Sequence, residues 1–298
     1  MDLTNLGSYV SNGSGYALQA VKGSPTVDAL IKSKNAQFGV KGTAAILKIG
    51  GDVTLVDGSA CGRSGASNVA LSNATITTYQ IKDEANVCPS ALHGTFFADS
   101  IAKGQTPTED LLPAFADAIM SDRASKIAAA VEDLAWRGDT TLTGSTNLKR
   151  ANGFLKLATS ATTVAATGST NVEKLQHVYK TADATVRNDA SYKIFVGQDT
   201  YDNYLIDLAG KNIYKPTDDM KLYGTNATLF VSKGLNDTGK VLGARMDNLH
   251  FAADAVEDMK GTLKYSVETD QWYQDFKFGV GFGIAYNTSS EVVIGTGF

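Results

Sequence analysis

Three histidines, two cysteines and a scatter of paired carboxylates are the side chains through which this 298-residue chain could do chemistry. A zinc site needs imidazoles or thiolates converging at short spacing, as in His-x-x-x-His or Cys-x-x-Cys. His93, His177 and His250 lie dozens of residues apart, and Cys61 and Cys88 form no such pair. No metal ligand is therefore predicted, and both thiols read as structural. Ser64 stands between glycines in Gly62-Arg63-Ser64-Gly65-Ala66, but a nucleophile elbow requires Gly-x-Ser-x-Gly on a strand-to-helix turn, and Ala66 replaces the last glycine. The pairs Asp83-Glu84, Glu109-Asp110, Glu132-Asp133, Asp218-Asp219 and Glu257-Asp258 could supply an acid and a base. Adjacent residues on a helix point in different directions, so these pairs read as solvated caps or contacts. The run Gly279-Val280-Gly281-Phe282-Gly283 could pass for a phosphate loop, which needs its glycines on a turn into a helix. Here Phe276, Phe278, Val280, Phe282, Ile284 and Tyr286 recur at every second position and Asn287 to Ser290 follow. That is a long strand with one apolar face, whose glycines mark the close approach of another backbone or a large side chain. No catalytic, cofactor-binding or metal residue is assigned, and an enzyme is not expected.

The elements around these residues are those of a globular α+β protein. Hydrophobic residues make up 43% and charged residues 19%, ordinary values for a chain that buries a core. The formal net charge of −4, with no basic run beyond Lys149-Arg150, argues against a dedicated nucleic-acid reader. No apolar stretch is long enough to span a bilayer, and Met1 to Leu6 lacks a secretory signal, so synthesis in the cytoplasm is expected.

Residues 1–36 read as an extended arm containing a short helix over Thr26–Lys32 capped by Thr26. Gln37 to Asp57 reads as a hairpin around Gly50-Gly51-Asp52, followed by an exposed loop to Asn68 and a β segment over Ala74–Ile81. The strongest periodicity runs from Asp110 to Arg137. Leu112, Phe115, Ile119, Ile127, Val131 and Leu134 form one stripe, with Asp117, Asp122, Lys126, Glu132 and Asp133 on the remainder. Asp110 caps this helix, Pro113 fits its first turn and Gly138 closes it. Thr159 to Asn171 reads as a linker and Val172 to Val186 as a helix. Tyr192–Val196 reads as a strand, with Asp199 capping the next helix. Strands at Leu229–Ser232 and Leu249–Phe251 complete a small mixed module.

Three segments carry a resemblance. The helix end Glu132-Asp-Leu-Ala-Trp136-Arg-Gly-Asp139 is followed by Asn152-Gly-Phe-Leu155. Tyr192 to Val196 leads through Gly197 and Asp199 to Tyr201, Tyr204 and Leu205. Met246 to Asp254, Asp258 to Tyr265, Trp272 to Phe276, the Gly-aromatic-Gly strand and Glu291-Val-Val-Ile294 close the chain. Together they resemble the major capsid proteins of tailed bacteriophages with the HK97-type fold. The resemblance implies an N-terminal arm (1–36), an extended β-hairpin or E-loop (37–73) and a P-domain sheet with a spine helix (74–168, helix 110–137). A central A-domain-like module (169–245) and C-terminal strands returning to both domains (246–298) follow. It also implies a structural subunit that self-assembles through hexamers and pentamers into an icosahedral head around double-stranded DNA, touched non-specifically. Such a subunit resides in the virion, is assembled in the host cytoplasm and has no membrane or cofactor. A portal and decoration proteins are implied partners. A separate scaffolding protein, or none, is expected because no charge-rich coiled-coil block precedes the spine helix. Some shells of this type crosslink a hairpin lysine to a neighbour's asparagine; Lys41 and Lys48 lie on the corresponding segment, with no asparagine or glutamate to assign. Two alternatives are an encapsulin-type nanocompartment shell protein and an adhesive β-protein of a phage tail or fibre.

Overall fold

A computed structural model describes residues 13–58, 62, 67–87, 112–144, 146–211, 220–266, 268–269 and 271–298. The described N-terminal segment is helical. Helix α1 spans Gly13–Lys22 and α2 spans Pro25–Lys32, correcting the extended arm expected there. Ala17, Ala20 and Val21, at helical spacing, are fully buried in one core with Met120, Ala124 and Ile127. The cap of α2 is Ser24, whose hydroxyl accepts from the Val27 amide, and not Thr26. Pro25 explains the shift, since its fixed φ and missing N–H suit the first helical position.

Strand β1 (Ala36–Phe38) is followed by β2 (Thr43–Gly50), β3 (Ala70–Thr77) and β4 (Tyr79–Val87). The hairpin partner of β2 is β3, paired antiparallel from Thr43↔Thr77 to Gly50↔Ala70, rather than a strand after Gly50-Gly51-Asp52. Val53 and Leu55 lie unpaired in the intervening loop. The pairing that forms places Ile46 and Ile76 on one buried face. β3 runs across the boundary expected between residues 73 and 74.

Helix α3 (Leu112–Arg137) is the long helix; its expected cap Asp110 lies outside the described residues. Among its described side chains, Met120, Ala124, Ile127, Ala128, Val131, Leu134, Ala135 and Trp136 are buried apolar residues. Gly138 ends it because a Cβ there would sit 2.4 Å from the Ala151 carbonyl oxygen. After a helical turn over Phe154–Leu157, strand β5 (Thr162–Ala165) occupies part of the segment expected to be a linker. Its partner β12 supplies the order that its small polar residues do not.

The helix expected over Val172–Val186 divides into α4 (Asn171–Thr181), capped by the Thr170 hydroxyl, and a turn capped by Asp183. Strand β6 (Tyr192–Val196) leads into α5 (Gln198–Gly210). Its N-cap is Gly197; Asp199 lies inside the first turn and accepts from the amides of Thr200 and Asp237. Then follow β7 (Thr228–Val231), β8 (Lys240–Arg245), β9 (Leu249–Ala253), β10 (Lys260–Ser266), β11 (Gln271–Ile284) and β12 (Val292–Thr296).

The strands form two five-stranded sheets and the β2–β3 ribbon. In the first sheet the order is β1-β9-β11-β10, with β4 also paired to β11; in the second it is β5-β12-β8-β6-β7. Leu249–Phe251, expected in the small module, therefore belongs to the first sheet. The first sheet packs with α1, α2 and α3 around Trp136, Phe154, Phe251, Phe276 and Phe282. The second has a core around Leu175, Tyr192, Ile194, Tyr204 and Val293.

Candidate functional site

Strand β11 alternates buried and accessible positions from Gln271 to Lys277 and is then buried on both faces through Ile284. Its glycines permit this. A Cβ on Gly281 would lie 2.3 Å from the Thr77 carbonyl oxygen, and one on Gly283 would strike Ile76. A Cβ on Gly279 would meet the buried Asp254 carboxylate, which accepts from Gln80 Nε2 at 2.7 Å. The glycines are thus a saddle for the β3–β4 corner, and no helix follows them to cradle a phosphate.

That corner is the base of the ribbon. Thr78, the single residue between β3 and β4, is buried; its amide donates to the Gly42 carbonyl at 2.7 Å and its hydroxyl accepts from the Gly42 amide at 3.0 Å. Gly42 takes φ +89°, a conformation that favours glycine. Beyond this base the ribbon has two unlike faces. Ile46 and Ile76 turn inward against Ala252 and Ala285. The opposite face carries Leu47, Ile49 and Leu71, with side chains 70%, 64% and 67% exposed. Leu55 and Val53 in the loop are more exposed still. The Tyr286 hydroxyl donates to the Ile49 carbonyl at 3.2 Å and Lys48 lies over the Tyr286 ring, tying the ribbon to the body. Lys41, at the base, pairs with Asp258 at 2.9 Å.

The second unusual feature lies inside. Glu132, expected on the polar side of the long helix, is 2% exposed. One carboxylate oxygen accepts from the Ser24 hydroxyl at 2.5 Å and the Thr26 amide at 2.9 Å. The other accepts from the Thr26 hydroxyl at 2.6 Å, the Trp136 indole at 3.3 Å and the Ser232 hydroxyl. None of these donors is a cation, so the charge is held by hydrogen bonds, which keep a buried carboxylate tolerable. Gly234 completes the fit: a Cβ there would sit 2.4 Å from the Glu132 carbonyl oxygen. The Ser-Pro cap of α2 and the Glu-x-x-x-Trp spacing on α3 were the only local hints.

Several of the other carboxylates paired in sequence have structural partners. Asp83 forms a two-pronged pair with Arg123, Glu84 pairs with Lys82, and Asp133 with Arg137. Glu257 is exposed. His177 lies on α4, and His250 on β9, where burial pushes its pKa down. Among the described residues no cluster of three or more His, Cys, Asp or Glu could hold a metal. His93, Cys61, Cys88, Ser64, Glu109, Asp110, Asp218 and Asp219 lie outside the described residues.

A mixed fold of two sheets, one long helix and a projecting ribbon belongs to a known architectural class. The cyanophage A-1(L) capsid asymmetric unit is similar over 99% of this chain and 97% of that one, at TM-score 0.57 and 10% identity. A chain of the satellite phage P4 procapsid aligns at TM-score 0.55 and 12% identity over 95% and 96%. The capsid of Myoviridae phage XM1 aligns at 0.52 and 12% over 91% and 92%. No protein-family model matches the chain, and no curated protein does. The fold is the HK97-type fold of tailed-phage capsid subunits.

Proposed function

We propose that this chain is the major capsid subunit of a tailed bacteriophage. Copies assemble through hexamers and pentamers into an icosahedral head around double-stranded DNA, in the host cytoplasm and then in the virion. The observation that carries the reading is the likeness to capsid and procapsid chains over nearly the full length of both partners. The ribbon supports it. Its outward leucines and isoleucine gain a partner when a second copy covers them, each contributing on the order of 2 kcal/mol if fully buried. One such contact barely offsets the entropy of association, but a closed lattice repeats it on every subunit.

This role needs no catalytic residue, cofactor or metal. Packaged DNA touches a wall of net charge −4, which suits containment without sequence reading. A separate scaffolding protein, a portal and decoration proteins are the partners such a head takes. Sedimentation and negative-stain imaging of the chain, made alone and together with a scaffolding protein, test the reading: closed megadalton particles are expected in at least one arm, and a small discrete oligomer in both overturns it. Empty shells recovered from cells making this chain alone would remove the scaffolding protein from the list.

A further inference from the structure

Glu132 joins three parts of the molecule that are distant in sequence. Ser24 caps α2 and Thr26 lies in its first turn, Glu132 and Trp136 belong to the long helix, and Ser232 directly follows β7 of the second sheet. The two carboxylate oxygens do not divide between these parts. The oxygen that receives Ser232 also receives the Thr26 hydroxyl, which in turn accepts from the Trp136 indole at 2.9 Å. Ser232 is itself positioned by the Gly234 amide, at 3.2 Å, within the turn that presses on the long helix. A donor lost on one side therefore leaves the carboxylate free to shift, and the donors on the other side follow it. Buried charge permits few compromises, because any unmade bond leaves a desolvated polar group.

We propose that Glu132 is a mechanical coupling between the N-terminal helix pair and the second sheet, so that displacing either loosens the other. Energetic coupling of this kind is reciprocal. The inference does not rest on the capsid reading, since it concerns a single subunit.

Hydrogen–deuterium exchange on the full, unassembled chain tests it. In Ser232→Ala, amides of residues 13–32 are expected to exchange about tenfold faster, the change that losing a bond to a buried charge produces. In the double variant Ser24→Ala with Thr26→Val, amides of residues 228–237 are expected to accelerate comparably. Glu132→Gln loosens both segments together, while Gly281→Ala, which weakens the fold away from the junction, leaves the exchange of both segments unchanged. The proposal is overturned if each substitution loosens only its own segment, or if Gly281→Ala loosens both segments equally, which would make their response one of global stability. Should the double variant fail to fold, the response of residues 13–32 to Ser232→Ala decides alone.

Discussion

The Glu132 junction and the β2–β3 ribbon reverse the usual placement of side chains. One buries a carboxylate, three hydroxyls and an indole N–H; the other leaves Leu47, Ile49 and Leu71 in water. The difference lies in where the partners are. Every polar group of the junction finds its complement within the chain, whereas among the described residues the apolar face of the ribbon finds none. A chain can therefore complete its polar contacts in one place and leave apolar ones open in another, and the second deficit is one that a further copy would fill.

The largest expected effect comes from the ribbon. Replacing Leu47 and Leu71 with lysine should abolish megadalton particles in sedimentation while shifting the subunit's melting temperature by no more than about 2 °C, as exposed substitutions do. Undiminished shells would erase the contrast. Glu132→Ala attacks the other side: it strands several buried donors and should lower unfolding stability in urea by about 3 kcal/mol. A loss under about 1 kcal/mol would mean that water repairs the junction. Gly281→Ala forces a methyl group against the Thr77 carbonyl at the ribbon's base and should cost about 2 kcal/mol by overpacking, read from the same titration.

The smallest effect concerns a half-buried carboxylate at the surface, against which Glu132 can be judged. The hydroxyl and amide of Thr141, with Lys156 beside them, hold Asp139 down at about 2. A folded pKa below the unfolded value of about 3.9 means that the ionised form favours folding. The contribution is complete above that unfolded value and is lost as pH falls through about 2. Asp139→Asn should lower stability slightly at neutral pH, where the contribution is complete, and flatten the acid limb of a fluorescence-detected unfolding curve so that the variant and the parent converge toward pH 2.

The sequence reading succeeded where one element explains itself. The long helix, β6 and β11 declare their periods because each buries a face regardless of which neighbour covers it. The saddle role of the β11 glycines was legible for the same reason, since glycine between large apolar residues has few other uses in a strand. Glu132 was misread because helical periodicity registers only its own helix; the hydroxyl and amide donors that make burial tolerable lie 100 or more residues away. Likewise Thr162–Ala165 contains nothing that announces a strand until β12 lies beside it, and Ala70–Thr77 became the hairpin partner through the inward match of Ile76 with Ile46. The ribbon's exposed face was not legible as exposed, because alternation specifies two faces without saying that one stays uncovered.

The strand order also sets a timetable for synthesis. β11 pairs with β4, β9 and β10, and β12 sits between β5 and β8. Neither sheet can close until residues 271–296 have been made, so the nascent chain carries unpaired strands and apolar helix faces until those residues emerge. Such long-range pairing is slow and exposed to aggregation. For a chain proposed to assemble in many copies, the crowded ribosome is thus a hazard that comes before assembly, and capture of the nascent chain by a general chaperone should raise the yield of soluble protein.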